Sequence, residues 1–261
     1  MKFQPTTQEE VSTYRQELYR TFVAPLDGMW EALHIASANP FMIILDDAPI
    51  GYCCIDEAQH LNQLYLLGAY RSQITKAVEE LIKSKLIQGA LLSSIEPVAF
   101  NACLAVAKTT QVDTLNFQYN SPHKGAENKE LLNLIKATAD DLLAVKSFFQ
   151  EEAGFTDNFG YAENLINRGE LFLLIKDNIL TATGECRLSD TQPAYADVGM
   201  IVKQTARKKG WGRKMLATLA NIAKSEYRIP ICSTTLDNVA SQKAIQGAGF
   251  YQSHIVFKME F

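Results

Sequence analysis

The chain has 261 residues, a formal net charge of -4, 47% hydrophobic and 21% charged residues, which is long for one small domain and comfortable for two. No apolar run approaches the roughly 18–20 residues of a membrane span, and the start, Met-Lys-Phe-Gln-Pro-Thr-Thr, lacks the apolar stretch of a signal peptide. A cytoplasmic protein with neither a membrane nor a nucleic acid as partner is the expectation.

In chain order, Phe3 and Gln4 open a strand. Thr7 with Glu10 predicts a capping box, and Val11, Tyr14, Leu18 and Phe22 mark one helical face. Residues 29–37 predict a second helix that ends at Asn39-Pro40. Residues 41–45 and 50–55 read as a hairpin around Asp46-Asp47-Ala48-Pro49. A strand at 64–67, a helix at 78–87, a strand at 90–94, a helix near 98–107 and a strand at 114–119 complete the first half.

The order then repeats. A strand is expected at 132–136, and Thr138 with Asp141 starts a helix carrying Leu142, Val145 and Phe149. A short helix at 162–167 ends at Gly169, and residues 171–175 and 181–188 form a hairpin around Lys176-Asp177-Asn178. An apolar strand at 198–202 precedes a glycine turn and a helix on which Met215, Leu216, Leu219, Ala220 and Ala223 share one face. A strand at 231–235, a helix at 238–246 and a strand at 254–260 follow. Glu96-Pro97-Val98-Ala99 aligns with Asp237-Asn238-Val239-Ala240 at an offset of 141, and the polar stretch around 121–130 reads as a linker. Domains at 1–120 and 131–261, each mixed α/β with a twisted sheet and helices on both faces, are the expected fold.

Five cysteines (Cys53, Cys54, Cys103, Cys186, Cys232) are odd in number and lie in apolar segments, as reduced buried thiols do. Four scattered histidines show no metal-ligand spacing, so no metal is expected.

Chemistry concentrates at one place. Between Met200 and Lys214 stand six basic residues and no acidic one. A solvated helix start is the ordinary meaning of such a run, but Gly210 and Gly212 add a turn whose backbone a ligand can approach. Free N–H groups at the helix start then favour a compact phosphate-bearing ligand. The spacing is neither that of a P-loop nor of a dinucleotide fingerprint, since Met215 stands where the latter needs glycine.

The string Val202-Lys-Gln-Thr-Ala-Arg207-Lys-Lys-Gly210-Trp-Gly212, followed by Asp237-Asn238-Val239-Ala240-Ser241 and then Gly249-Phe250, resembles the two acyl-CoA blocks of the GNAT superfamily of N-acyltransferases. The first half lacks these residues: Tyr70-Arg-Ser-Gln-Ile-Thr-Lys-Ala has no glycine turn, and Pro97, Phe100 and Lys108-Thr109 replace Asn238, Ser241 and Gly249-Phe250. It therefore resembles a degenerate copy with a structural role.

The resemblance implies acetyl-CoA as donor, contacted by Ile201, Val202, Arg207, Lys208, Lys209, Gly210, Trp211, Gly212, Arg213, Asn238 and Ser241. Ile201 and Val202 would offer oxyanion-binding N–H groups. Asn238 also reads as a helix N-cap and Ser241 as a solvated helix residue. A primary amine of pKa near 10.4 needs a base. Glu185 and Asp197 are the candidates, each also readable as a surface charge. The family's usual tyrosine acid position is Ile245, which leaves Tyr251 and His254 as substitutes or no acid at all. The expected activity is N-acetyl transfer to a primary amine on a small molecule, peptide or protein. A CoA-binding regulatory module and a tandem transferase using aminoacyl-tRNA are the alternatives, and the oligomeric state, homodimer included, stays open.

Overall fold

The computed structural model describes residues 1–120 and 131–261; the expected linker lies outside the described residues. The chain forms two compact units, Met1–Leu115 with His254–Phe261, and Asn116–Ser253. Beside the expected domains at 1–120 and 131–261, the contact-based units differ at their ends: the last eight residues lie in the first unit, and residues from Asn116 onward in the second.

Unit 1 contains β1 (Lys2–Pro5), α1 (Ser12–Tyr19), α2 (Gly28–Trp30, continued by a π-helical turn Glu31–Ile35), β2 (Asn39–Leu45), β3 (Ala48–Ile55), β4 (His60–Leu66), α3 (Ile74–Lys83), β5 (Gly89–Ser93), α4 (Pro97–Leu104) and the start of β6 (Thr109–Tyr119). Its strands run β1-β2-β3-β4-β5, with the chain's C-terminal strand beside β5. All pairs are antiparallel except β4 with β5. The Thr7–Glu10 capping box forms, with each backbone N–H donating to the other side chain at 3.2 Å. It closes a turn, however, and α1 itself begins only at Ser12. Asn39-Pro40, expected as a helix stop, opens β2, and proline is tolerated at the start of a strand.

Unit 2 contains β7 (Ile135–Lys136), α5 (Leu142–Ala153), α6 (Tyr161–Asn167), β8 (Leu171–Lys176), β9 (Ile179–Leu188), β10 (Tyr195–Val202), α7 (Trp211–Ser225), β11 (Ile229–Thr235), α8 (Val239–Ala248) and the start of β12 (Phe250–Glu260). Its order is β6-β11-β10-β9-β8-β7. The strand expected at 132–136 shrinks to two residues. The Thr138–Asp141 capping box is present and starts a 3-10 turn that leads into α5.

Both hairpins reverse direction on two left-handed residues, Asp46 and Asp47 in unit 1 and Asp177 and Asn178 in unit 2. These short polar side chains tolerate positive φ, and the resulting turn matches the twist of the strands. In unit 2 the α7 face carrying Met215, Leu216 and Leu219 is buried, and fully burying a side chain of that size stabilises by about 1.5–3 kcal/mol. A Cβ at Gly184 of β9 would lie 2.8 Å from a Leu219 methyl, so glycine there lets α7 sit close to the sheet. On the opposite face α5 and α6 bury Val145, Phe148, Phe149 and Leu165. All five cysteines are buried and none is in a disulfide.

Candidate active site

The site of unit 2 is built where two strands part. β10 and β11 pair in parallel only from Tyr195↔Ile229 to Asp197↔Ile231, whereas β10 continues to Val202. From Val198 onward the edge of β10 turned away from β9 has no strand beside it. Alternate backbone groups on such an edge are free to meet a ligand.

The chain then folds the loop that sequence assigned to a phosphate-bearing ligand. Lys208 and Gly210 both have positive φ, 62° and 82°, and Gly210 is the N-cap of α7 without any side chain to cap it. The first intrahelical bond runs from the Lys214 N–H to the Gly210 carbonyl at 3.1 Å. The N–H groups of Trp211, Gly212 and Arg213 therefore lie in the uncapped first turn, where the helix dipole favours an anion. A Cβ built on Gly210 meets nothing within 4 Å. The space above the turn is open.

The two glycines do different work. Gly210 supplies the left-handed turn. At Gly212 a Cβ would lie 3.1 Å from the Met200 methyl and 3.5 Å from Ala244 Cβ, so this glycine lets α7 pack against β10 and α8. Gly212 is thus a packing residue and not part of the turn, because its place is already inside the helix.

Arg207 is likewise a clasp. Its Nε donates to the Val202 carbonyl at 3.0 Å, and a terminal nitrogen donates to the Glu152 carbonyl at 2.6 Å. It joins the end of β10 to the end of α5, which holds the loop in shape. Besides Arg207, the exposed cations on the loop are Lys208, Lys209 and Arg213. Trp211 is half-buried between Lys214 and Lys176, whose ammonium groups stand 5.7 and 5.6 Å from its ring centre. Lys176 comes from β8 and was not found from sequence, since only the fold carries it to the loop. Asn238 caps α8, accepting the Ser241 N–H at 3.1 Å. Ile201 packs with the α5 and α6 cluster, and Val202 is buried.

Glu185 and Asp197 stand on adjacent strands, β9 and β10, where Asp197 pairs with Arg187 and Gly199 with Glu185. Paired residues share a face, so Glu185, Arg187 and Asp197 point to the α5 and α6 side. Tyr161 Oη, from the first turn of α6, donates to Glu185 Oε2 at 2.6 Å. Arg187 lies 3.5 Å from the Glu185 carboxylate and 3.8 Å from that of Asp197. Asp197 is buried and Glu185 largely so, which removes the surface-charge reading of both.

Burial, and then the Glu185 carboxylate beside it, push the Tyr161 phenol far above the ordinary tyrosine range. Tyr161 thus keeps its proton and acts as a fixed donor. Gly199 makes the room: a Cβ there would lie 2.5 Å from Glu185 Oε1. Tyr161, Arg187 and Gly199 escaped sequence reasoning because a tyrosine, an arginine and a glycine in these positions carry no local signal.

Tyr251 stands exposed at the start of β12, outside this cluster. His254 belongs to unit 1, where burial pushes its imidazole down to about 4 against the opposing effect of Asp27. Ile245, at the position of the family's usual tyrosine, is a core residue of α8.

Asp157 holds the loop before α6. It accepts the N–H groups of Tyr161 at 2.7 Å and Ala162 at 2.9 Å and pairs with Lys146 at 3.6 Å. Burial alone would raise its pKa, but these two amides and Lys146 outweigh that and lower it. Asp157→Ala is expected to destabilise by about 1–2 kcal/mol at pH 7, the range for a lost helix cap. Because the folded pKa lies below the usual value near 3.9, this stabilisation is present above about pH 4. It vanishes as pH falls through the folded value, so urea titrations of wild type and variant should converge in acid.

Among the described residues no helix is long and apolar enough to cross a membrane, and no cluster of His, Cys, Asp and Glu has the form of a metal site. Residues 7–120 match the Acetyltransferase (GNAT) domain and residues 135–250 the Acetyltransferase (GNAT) family. No curated protein matches the sequence. Among solved structures, an acetyltransferase of the GNAT family from Colwellia psychrerythraea is 31% identical over 100% of both chains, with a TM-score of 0.93. A GCN5-related N-acetyltransferase from Sphaerobacter thermophilus shares the fold at 12% identity and TM-score 0.65, covering 99% of this chain and 95% of its own. A tandem GNAT protein from the clavulanic acid biosynthesis pathway does so at 14% and 0.65, covering 99% and 97%. With both halves matched and a relative 31% identical over the full length of both chains, the chain belongs to the GNAT acetyltransferase family as a tandem protein, and its chemistry is acyl transfer.

Proposed function

We propose that the protein is an acetyl-CoA-dependent N-acetyltransferase whose second unit moves an acetyl group to a primary amine on a small molecule, peptide or protein. One observation carries this: the uncapped start of α7 opens above Gly210 beside the unpaired edge of β10, and Glu185 stands opposite Gly199 on that same strand.

The residues divide the work. N–H groups of Trp211, Gly212 and Arg213, with Lys208 and Lys209, hold the diphosphate. The free edge of β10 near Ile201 and Val202 supplies N–H donors to the carbonyl oxygen as charge develops on it. Glu185, held by Tyr161 and Arg187, takes a proton from the ammonium, directly or through one water. Asp197 holds Arg187 from behind, which makes it a positioning residue. A departing thiolate of pKa near 8.5 asks little of an acid, and Tyr251 is the candidate to protonate it.

Beside the site, Phe155, Phe159 and Tyr161 form an aromatic group with ring centres 5.9–6.1 Å apart, and Phe159 is exposed. This favours an acceptor whose amine is carried on an apolar body. Thiol release from acetyl-CoA across a panel of alkyl, aralkyl and polar amines tests the reading. Amine-dependent release is expected, strongest for aralkyl amines. Saturable acetyl-CoA binding with no release for any amine would instead favour a regulatory CoA-binding module, in keeping with the buried Ile245.

A further inference from the structure

Unit 1 contains a parting of strands like that of unit 2. β4 and β5 pair in parallel only at His60↔Gly89 and Leu61↔Ala90, while β4 runs on to Leu66. The gap is a cleft of about 440 Å³, counting its solvent-open part, and all of its lining belongs to unit 1. Leu64, Leu66, Ile74 and Ala99 form apolar walls, with exposed Arg71 at the rim and Glu96 within.

Glu96 is the anomaly. It is 3% exposed, and its Oε2 has no hydrogen-bond partner. It is the N-cap residue of α4, yet its side chain does not cap the helix. A buried acceptor left unmatched is costly, and burying a carboxylate without a partner costs far more. The groups that feel Glu96 most are Tyr52 and Cys54 of β3 and Cys103 of α4, all neutral near pH 7 because burial raises each. Burial also pushes the Glu96 carboxyl up to about 8. No cation inside the cleft answers it.

The rest of the cleft excludes an acyl-CoA. The turn before α3 is a 3-10 helix, Gly68–Gln73, with no residue of positive φ and no basic run, and an acid lies inside. We infer that the cleft of unit 1 binds a small primary amine with an apolar chain, its ammonium donating to Glu96 and its chain lying against Leu64, Leu66, Ile74 and Ala99. An ammonium offers three donors and one positive charge, which answers both the unmet acceptor and the uncompensated acid. This inference stands on unit 1 alone and does not depend on acyl transfer by unit 2.

Calorimetry on the full chain tests it with n-pentylamine, and with n-pentanol and pentanoate as isosteres. Saturable binding that persists in Glu185→Gln is expected for the amine, at least about tenfold tighter than for the alcohol, with no binding of the acid, because only the amine forms a charge-assisted bond. Glu96→Gln should weaken the amine about tenfold or more and leave the alcohol and coenzyme A unchanged. Intact coenzyme A binding also reports a folded chain. Should Glu96→Gln not fold, Glu96→Asp, which withdraws the carboxyl by one methylene, should show the same selective loss. Glu185→Gln should leave this amine site intact. Equal binding of amine and alcohol, amine binding unaffected by both Glu96 variants, or loss on Glu185→Gln alone would each overturn the inference.

Discussion

Replacing Gly210 by glutamate is expected to raise the Km for acetyl-CoA about 100-fold in a protein that remains folded. Two effects combine. The residue has φ 82°, where a side chain other than that of Gly or Asn is strained by about 1–2 kcal/mol. The larger effect is electrostatic. A carboxylate enters the open space above the turn, where the uncapped N–H groups of α7 and the exposed lysines favour an anion. Loss of charge-assisted bonds plus like-charge repulsion amounts to about 3 kcal/mol, or two decades at about 1.4 kcal/mol each. Gly210→Asn separates the effects, because asparagine tolerates positive φ and carries no charge. It should keep Km within about tenfold of wild type. Calorimetry with coenzyme A gives the same comparison without turnover, and wild-type affinity in folded Gly210→Glu would refute the assignment of the loop.

Glu185→Gln is expected to lower kcat by about 10²–10⁴-fold, the usual worth of a general base, with coenzyme A affinity nearly unchanged. The carboxylate stands opposite Gly199 on β10, and the glycine loop before α7 begins beyond the end of that strand. Tyr161→Phe removes the 2.6 Å donor to Glu185 while keeping the ring among Phe155 and Phe159. A smaller loss in kcat and a displaced acid limb of the pH–rate profile are expected from it. Gly199→Ala adds a Cβ 2.5 Å from Glu185 Oε1. The far end of the Glu185 side chain can swing away, so the fold should survive while the carboxylate moves and kcat falls. Asp197→Asn acts through Arg187 and should resemble Tyr161→Phe. If Glu185→Gln keeps the wild-type rate from acid to alkaline pH, the amine must arrive already neutral. The rate would then climb with pH toward the amine's own pKa.

The sequence by itself determined whatever a short stretch of backbone decides alone. The Asp46-Asp47 and Asp177-Asn178 turns follow from side chains that accept positive φ. The Thr138–Asp141 capping box and the Asn238 cap follow from short polar groups reaching their own helix starts. The α7 cradle follows from Gly210 at a strand-to-helix junction, and the missing glycine in unit 1 is legible for the same reason.

Tertiary structure alone decided which distant groups meet. β6 and β12 read as ordinary strands, but the end of each pairs outside its own half, His254–Phe261 with unit 1 and residues from Asn116 with unit 2. Strand pairing depends on long-range partners, which periodicity does not specify. Arg207 is basic in a basic run, yet only the fold shows it spent on the carbonyls of Val202 and Glu152. Glu185 and Asp197 were legible as residue types. Their burial, the Tyr161 donor, the Arg187 bridge and the space left by Gly199 were not, because each is a contact between elements. Glu96 gave no sign at all: a charged residue before a proline reads as a solvated helix start, and only packing around the β4–β5 gap turns it into a buried acid without a partner.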